Sequence, residues 1–250
     1  MTNKYMYFVA NWKMFGNQKS INSLNRVIKF SKLSKSNKFK LIYCPPYTLL
    51  NLFSKKLSKT NIDIGAQNCH ENNNFGAFTG SINSRMLKNI GANYIILGHS
   101  ENRALGENNI LINKKIKSSL SNNLKIIYCI GETLNQKKNK LTFKILYNQI
   151  INGLKGIRKI NNIILAYEPI WSIGTGLIPK NDELKININY IKSIIKKKFK
   201  TPRPKVLYGG SVNPKNMSEL NKIDVIDGFL VGGASQDPKK FIDIVKKTFN

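Results

Sequence analysis

Residues 165–179 read Leu-Ala-Tyr-Glu-Pro-Ile-Trp-Ser-Ile-Gly-Thr-Gly-Leu-Ile-Pro. With Ile163 and Ile164 ahead of it, the segment opens as the end of a short apolar run, the pattern of a buried strand. Glu168 stands where that run gives out, and Pro169 holds it in extended backbone. A flap follows: Pro169, Ile170, Trp171, Ser172, Ile173, Gly174, Thr175 and Gly176, closed by Pro179. Its ends are stiff and its middle is permissive. A carboxylate at a strand end beneath a closable loop suits a base working in a water-poor pocket. Taken alone, the segment could equally be an ordinary strand-to-helix connection with a capping Glu. The rest of the chain decides between them.

The same unit recurs from one end to the other. Apolar runs at 5–10, 39–44, 62–66, 94–97, 125–130, 163–166, 205–208 and 228–231 predict eight strands. Helices are predicted between and after them, at 20–33, 49–57, 84–90, 181–198, 217–221 and 238–249. Two more are marked by Ile110, Ile116 and Leu120, and by Phe143, Leu146, Tyr147 and Ile150. In the first helix Ile21, Leu24, Val27, Ile28 and Leu33 share one face. Alternation of this kind gives a parallel sheet covered by helices, and eight units close into an α/β, single-domain (β/α)8 barrel over residues 1–250. A doubly wound sheet would want Gly-x-Gly-x-x-Gly after the first strand, which is not there.

Lys and Arg number 41 against 13 Asp and Glu, a formal net charge of +28, so a nucleic-acid, membrane-surface or anionic-substrate partner has to be weighed. The basic residues are spread along the whole chain, as in Lys114, Lys115, Lys117 and Lys196, Lys197, Lys198, and form no Arg-rich block with interleaved aromatics. Compositional drift toward Lys, Asn and Ile accounts for them, and no nucleic-acid partner is expected. Cys44, Cys69 and Cys129 are odd in number, with no Cys-x-x-Cys pair, and predict reduced thiols in a cytoplasmic protein. The apolar run at 5–10 is too short for a signal peptide, and no run reaches membrane-spanning length.

In a barrel of this type every strand's C-terminal end opens onto one face. Gathered there are Asn11 and Lys13, His99 and Glu101, Cys129 and Glu132, Glu168, then Gly209-Gly210-Ser211 and Gly232-Gly233. The last two turns are glycine-rich, adjacent, and at the corner where such barrels grip phosphate through backbone N–H groups. The two histidines, His70 and His99, lack partners at ligand spacing, so no metal is expected. Ser100 and Ser211 have no evident base. A carboxylate base, a histidine, a lysine and a phosphate grip describe proton abstraction beside a carbonyl of a small phosphorylated molecule.

Asn11-Trp12-Lys13-Met14, residues 76–80, Gly98-His99-Ser100-Glu101, Cys129-Ile130-Gly131-Glu132, residues 166–171, residues 208–212 and residues 228–235 together resemble the triosephosphate isomerase family, in its order and over essentially the whole chain. This family is itself the standard illustration of a Glu base working with a neutral His. The resemblance implies Glu168 as base, His99 as neutral electrophile and Lys13 as electrostatic partner, with Asn11 and Glu101 orienting the group. It implies phosphate binding by Gly174, Ser211, Gly232 and Gly233, and an apolar clamp on the base from Ile173 and Leu230. Thr79 matches a residue that reaches the neighbouring subunit, so a homodimer acting on a phosphorylated triose is expected.

The chain also departs from the family pattern. Phe15, Ser81 and Asn102 stand where Asn, Glu and Arg are usual, and that Glu–Arg pair bridges the family's dimer interface. Ser172 replaces Ala and Leu177 replaces Lys in the flap, changes expected to alter loop kinetics while touching no catalytic group. The segment 104–107 is one residue short. Two other readings stand beside the isomerase. A Schiff-base aldolase would need a lysine on an interior strand, and a nucleic-acid-binding barrel would have no use for Lys13, His99 and Glu168.

Overall fold

The computed structural model describes residues 2, 4–34, 38–158 and 160–249; the two ends of the predicted domain, residues 1 and 250, lie outside the described residues. In chain order the elements are β1 (Met6–Asn11), α1 (Leu24–Leu33), β2 (Phe39–Cys44), α2 (Tyr47–Leu57), β3 (Asp63–Ala66), α3 (Ser84–Asn89), β4 (Tyr94–Leu97), α4 (Ser100–Ala104) and α5 (Asn109–Ser121). They continue with β5 (Lys125–Ile130), α6 (Leu134–Lys138), α7 (Thr142–Gly153), β6 (Ile163–Tyr167), α8 (Asn181–Phe199), β7 (Val206–Tyr208), α9 (Met217–Leu220), β8 (Gly228–Val231) and α10 (Pro238–Phe249). Every neighbouring strand pair is parallel, and β8 returns to pair with β1, with Tyr7 opposite Gly228 and Val9 opposite Leu230. The sheet is a closed eight-stranded barrel.

Successive strand side chains point to opposite faces. One set, including Val9, Ile42, Ile96, Ile127, Ala166 and Leu207, packs together inside the barrel. The alternate set, with Phe8, Leu41, Ile95, Ile126 and Leu165, packs outward against helix residues such as Leu24, Phe53, Ile116, Ile150 and Ile188. Burial on both faces is why these strands read as continuous apolar runs.

Four differences from the sequence reading have local causes. The first helix opens as a 3-10 turn, Gln18–Ser23, because Asn17 and Ser20 form a reciprocal capping box there. Leu33 is 70% exposed at the end of α1, off the buried face. Ile110 and Phe143 are exposed as well, the latter stacking on Tyr190 rather than entering the core. The short helices α4 and α6 carry too few residues to reveal a period; their caps, His99 and Thr133, are what start them.

Candidate active site

Strand parity supplies the first layer of the site. Two residues beyond the interior side chains of Val9, Ala166, Leu207 and Leu230 come Asn11, Glu168, Gly209 and Gly232. The period of two therefore turns Asn11 and Glu168 toward the barrel axis at its C-terminal mouth, beside two positions without side chains. A cavity of about 730 Å³ opens there, lined by Asn11, Lys13, His99 and Glu168, by Ser211, Leu230, Gly232 and Gly233, and by Ile173 and Gly174 from the flap.

Glu168 is 2% exposed. Burial raises its carboxyl above the ordinary value of 4.5, opposed by His99, by the hydrogen-bonded Cys129 thiol, by Lys13 and by the Ser100 backbone N–H. Its Oε1 lies 3.4 Å from His99 Nε2. Two glycines make room for it. A Cβ on Gly209 would sit 2.8 Å from Glu168 Cγ, and one on Gly131 would sit 1.8 Å from the Glu168 carbonyl oxygen. No other residue type fits at Gly131 without moving the backbone that carries the carboxylate.

His99 is buried and caps α4. Its Nδ1 accepts the Glu101 backbone N–H at 3.3 Å, which leaves Nε2, the nitrogen facing Glu168, as the ring's donor. Lys13 has φ 55°, in the left-handed region, a conformation that costs a side-chain-bearing residue about 1–2 kcal/mol. Neighbours over-determine it. Asn11 Oδ1 accepts the Lys13 backbone N–H at 3.1 Å, and Gln67 Nε2 donates to the Lys13 carbonyl at 3.0 Å and to the Cys44 carbonyl at 2.8 Å. The Lys13 ammonium then reaches Glu101 Oε1 at 2.6 Å. Glu101 itself is exposed at the rim. Gln67 was not singled out from sequence, since an isolated amide after a strand carries no pattern.

The flap is anchored at its base to the body of the barrel, while at its tip Thr175 bonds within the flap, to the Trp171 and Ser172 carbonyls and the Leu177 N–H. Ile170–Ser172 forms one 3-10 turn. Trp171 Nε1 donates to the buried Glu132 carboxylate at 3.1 Å, Tyr167 donates to the same carboxylate at 3.1 Å, and Ile170 N donates to the Glu132 carbonyl at 3.0 Å. Burial raises the Glu132 carboxyl, with Trp171, Tyr167 and Lys137 acting in the opposite direction. Gly174 and Gly176, at φ 71° and 79°, form the exposed tip with Thr175.

Ser172 has partners that the sequence did not foretell. It is fully buried, and its hydroxyl contacts the Leu177 carbonyl at 2.6 Å, the Tyr208 hydroxyl at 2.9 Å and the Ser211 backbone N–H at 3.3 Å. The flap substitution therefore touches one of the groups expected to hold phosphate. Gly233 starts a 3-10 turn, Gly233–Gln236, so its N–H belongs to the first turn, where intrahelical partners are lacking. Thr79 lies elsewhere, exposed in the loop after β3 and outside the cavity of its own chain.

This geometry can be set beside known proteins. Residues 6–248 match the family model described as Triosephosphate isomerase. The triosephosphate isomerase of Alkaliphilus oremlandii is 39% identical over 242 residues, covering 94% of this chain and 96% of that protein. That of Dictyoglomus thermophilum is 41% identical over 244 residues, covering 95% and 97%. The crystal structure of triosephosphate isomerase from Bartonella henselae superposes with a TM-score of 0.89 at 31% identity, covering 98% of this chain and all of that one. Likeness of sequence and of backbone, sustained from the first strand to the last helix, makes this chain a member of the triosephosphate isomerase family.

Proposed function

We propose that the family's reaction, interconversion of dihydroxyacetone phosphate and D-glyceraldehyde 3-phosphate, runs in this cavity by proton transfer through an enediolate, with Glu168 as base. Glu168 removes a proton from C1 of the ketose, and the electron pair moves onto the C2 oxygen. Return of the proton to C2, with proton exchange between the two oxygens, yields the aldose. The observation that carries this reading is the 3.4 Å approach of the Glu168 carboxylate to His99 Nε2 at the mouth of the barrel. A buried carboxylate is a stronger base than a hydrated one. The Nε2–H of a neutral His99 donates to the substrate oxygens, and Lys13 offsets their developing charge.

Ser211, Gly232 and Gly233 present backbone N–H groups for the phosphate, and Gly174 adds another when the flap closes. Closure brings Ile173 over the base opposite Leu230, excluding water that would let the intermediate lose its phosphate. Lys215, Lys239 and Lys240 line the same cavity and, with Lys13, outnumber the acidic Asp237, Asp243 and Glu168 there, a balance that suits an anionic substrate. A Schiff-base reading gains no support, since the strand lysines that share the inward parity, Lys40 and Lys125, stand at the N-terminal ends of β2 and β5, away from the mouth.

The working unit in this proposal is one barrel domain assembled as a homodimer in the cytoplasm. Met14 is 98% exposed, Leu105 85% and Phe75 61%, and all three belong to loops or helix ends following β1, β3 and β4, the region that also carries Thr79. No described helix is long and apolar enough to cross a membrane. A coupled assay on the purified chain with D-glyceraldehyde 3-phosphate tests the reading. Turnover is expected without added cofactor, and its absence would overturn the assignment.

A further inference from the structure

The Ser172 hydroxyl has one proton to donate and two lone pairs to offer. It donates to the Leu177 carbonyl at 2.6 Å, so the Tyr208 O–H at 2.9 Å and the Ser211 N–H at 3.3 Å are the donors to its lone pairs. That exhausts its capacity. The site is also dry and tight: Ser172 is fully buried, and a Cβ on Gly210 would come within 2.6 Å of its oxygen. Three segments meet at this one atom: the base of the flap, its far end at Leu177, and the turn after β7. An alanine here would make none of these bonds.

A backbone N–H has a single hydrogen, and it cannot serve both Ser172 Oγ and a phosphate oxygen at full strength. We propose that Ser172 is a latch: its hydroxyl holds the flap against the turn after β7 by occupying the Ser211 N–H, and the substrate's phosphate must displace it to bind. The inference rests on the reading that Ser211 N–H is a phosphate ligand. Ser172 is then a positioning residue that acts through Ser211 and the flap. It weakens phosphate binding and, in return, favours reopening after turnover.

Ser172→Ala removes this competitor, and Ser172→Ala/Tyr208→Phe also removes the other hydroxyl that meets the Ser211 N–H. Inorganic phosphate and the unreactive analogue glycerol 3-phosphate should then inhibit more tightly by about 2- to 10-fold, the range expected for one neutral hydrogen bond. KM for glyceraldehyde 3-phosphate and kcat should fall together, because a flap that closes more readily also releases product more slowly. A purely structural role predicts the reverse, with weaker inhibition and a raised KM. Tyr208→Phe keeps the Ser172 latch but removes the other hydroxyl beside the Ser211 N–H, so it should leave inhibition nearer wild type than Ser172→Ala does. Ser172→Gly, which adds no bulk to the tight site, serves as the reporter if the alanine variant does not fold. Inhibition constants equal to or above wild type in a folded Ser172 variant overturn the latch. If inorganic phosphate fails to compete with substrate in the unaltered chain, the phosphate reading of Ser211 falls first. If it competes equally well before and after the substitution, only the latch falls.

Discussion

His99 Nε2 and Glu168 Oε1 lie 3.4 Å apart although they follow strands that are not neighbours, β4 and β6. The strand between them, β5, contributes Cys129, whose thiol is hydrogen-bonded to the Glu168 carboxylate beneath the pair. The proposed base and electrophile are thus bridged across a strand whose own side chain supports the carboxylate.

Removing the base while keeping its shape tests the chemistry most directly. Glu168→Gln should lower kcat by roughly 10²- to 10⁴-fold, the worth of a positioned general base. Steady-state turnover in the coupled assay reads this, and near-wild-type activity would remove Glu168 from the mechanism.

The raised carboxyl of Glu168 has two consequences for pH. Because the base acts deprotonated, kcat/KM should decline on the acid side through a pKa above the ordinary 4.5. The stability effect has the opposite sense. A carboxyl whose folded pKa is raised stabilises the fold fully below its unfolded pKa and loses that contribution as pH rises through the folded value. Glu168→Gln should therefore melt higher than wild type near neutral pH, by about 2–4 °C for each kcal/mol released, with the gap closing toward acid. Equal melting temperatures at pH 7 would show that His99, Cys129 and Lys13 fully offset the burial.

Gly209 and Gly131 separate a catalytic effect from a structural one. Gly209→Ala puts a methyl 2.8 Å from Glu168 Cγ, which the side chain can escape only by shifting. A kcat loss of about 10- to 100-fold with little change in melting is expected, as for a sub-ångström to 1 Å misplacement of a base. Gly131→Ala meets the Glu168 backbone at 1.8 Å and should cost at least about 1–3 kcal/mol of stability in denaturant titrations.

The proposed dimer lacks the charge pair usual in the family, since Ser81 and Asn102 occupy those positions. Removing both charges leaves neither stranded, so the interface should persist at modest cost. Restoring them as Ser81→Glu/Asn102→Arg should tighten dimerisation by less than about tenfold, read by analytical ultracentrifugation across dilution. A far larger tightening would show that the missing pair matters.

Much of this molecule is legible in its sequence because parallel strands buried on both faces announce themselves as unbroken apolar runs. The runs at 39–44, 94–97, 125–130 and 228–231 coincide with β2, β4, β5 and β8. Parity then carries Asn11 and Glu168 to the mouth. What escaped was set by contacts between distant segments. Gln67 matters only because Lys13 adopts a left-handed backbone beside it, and nothing in the order of residues foretells that. The role of Ser172 depends on which atoms surround its oxygen, so the sequence marked the position as unusual and could not show its partners.

The twofold repeat of the strands also dictates where this chain can change length. One residue gained or lost inside β6 would exchange the inward and outward sets, sending Glu168 into the surrounding helices and Tyr167 or Pro169 to the axis. Insertions and deletions belong in the connections between strands, where the count is reset before the next strand begins. The staves of this barrel can exchange one apolar residue for another, but they cannot change their number of residues.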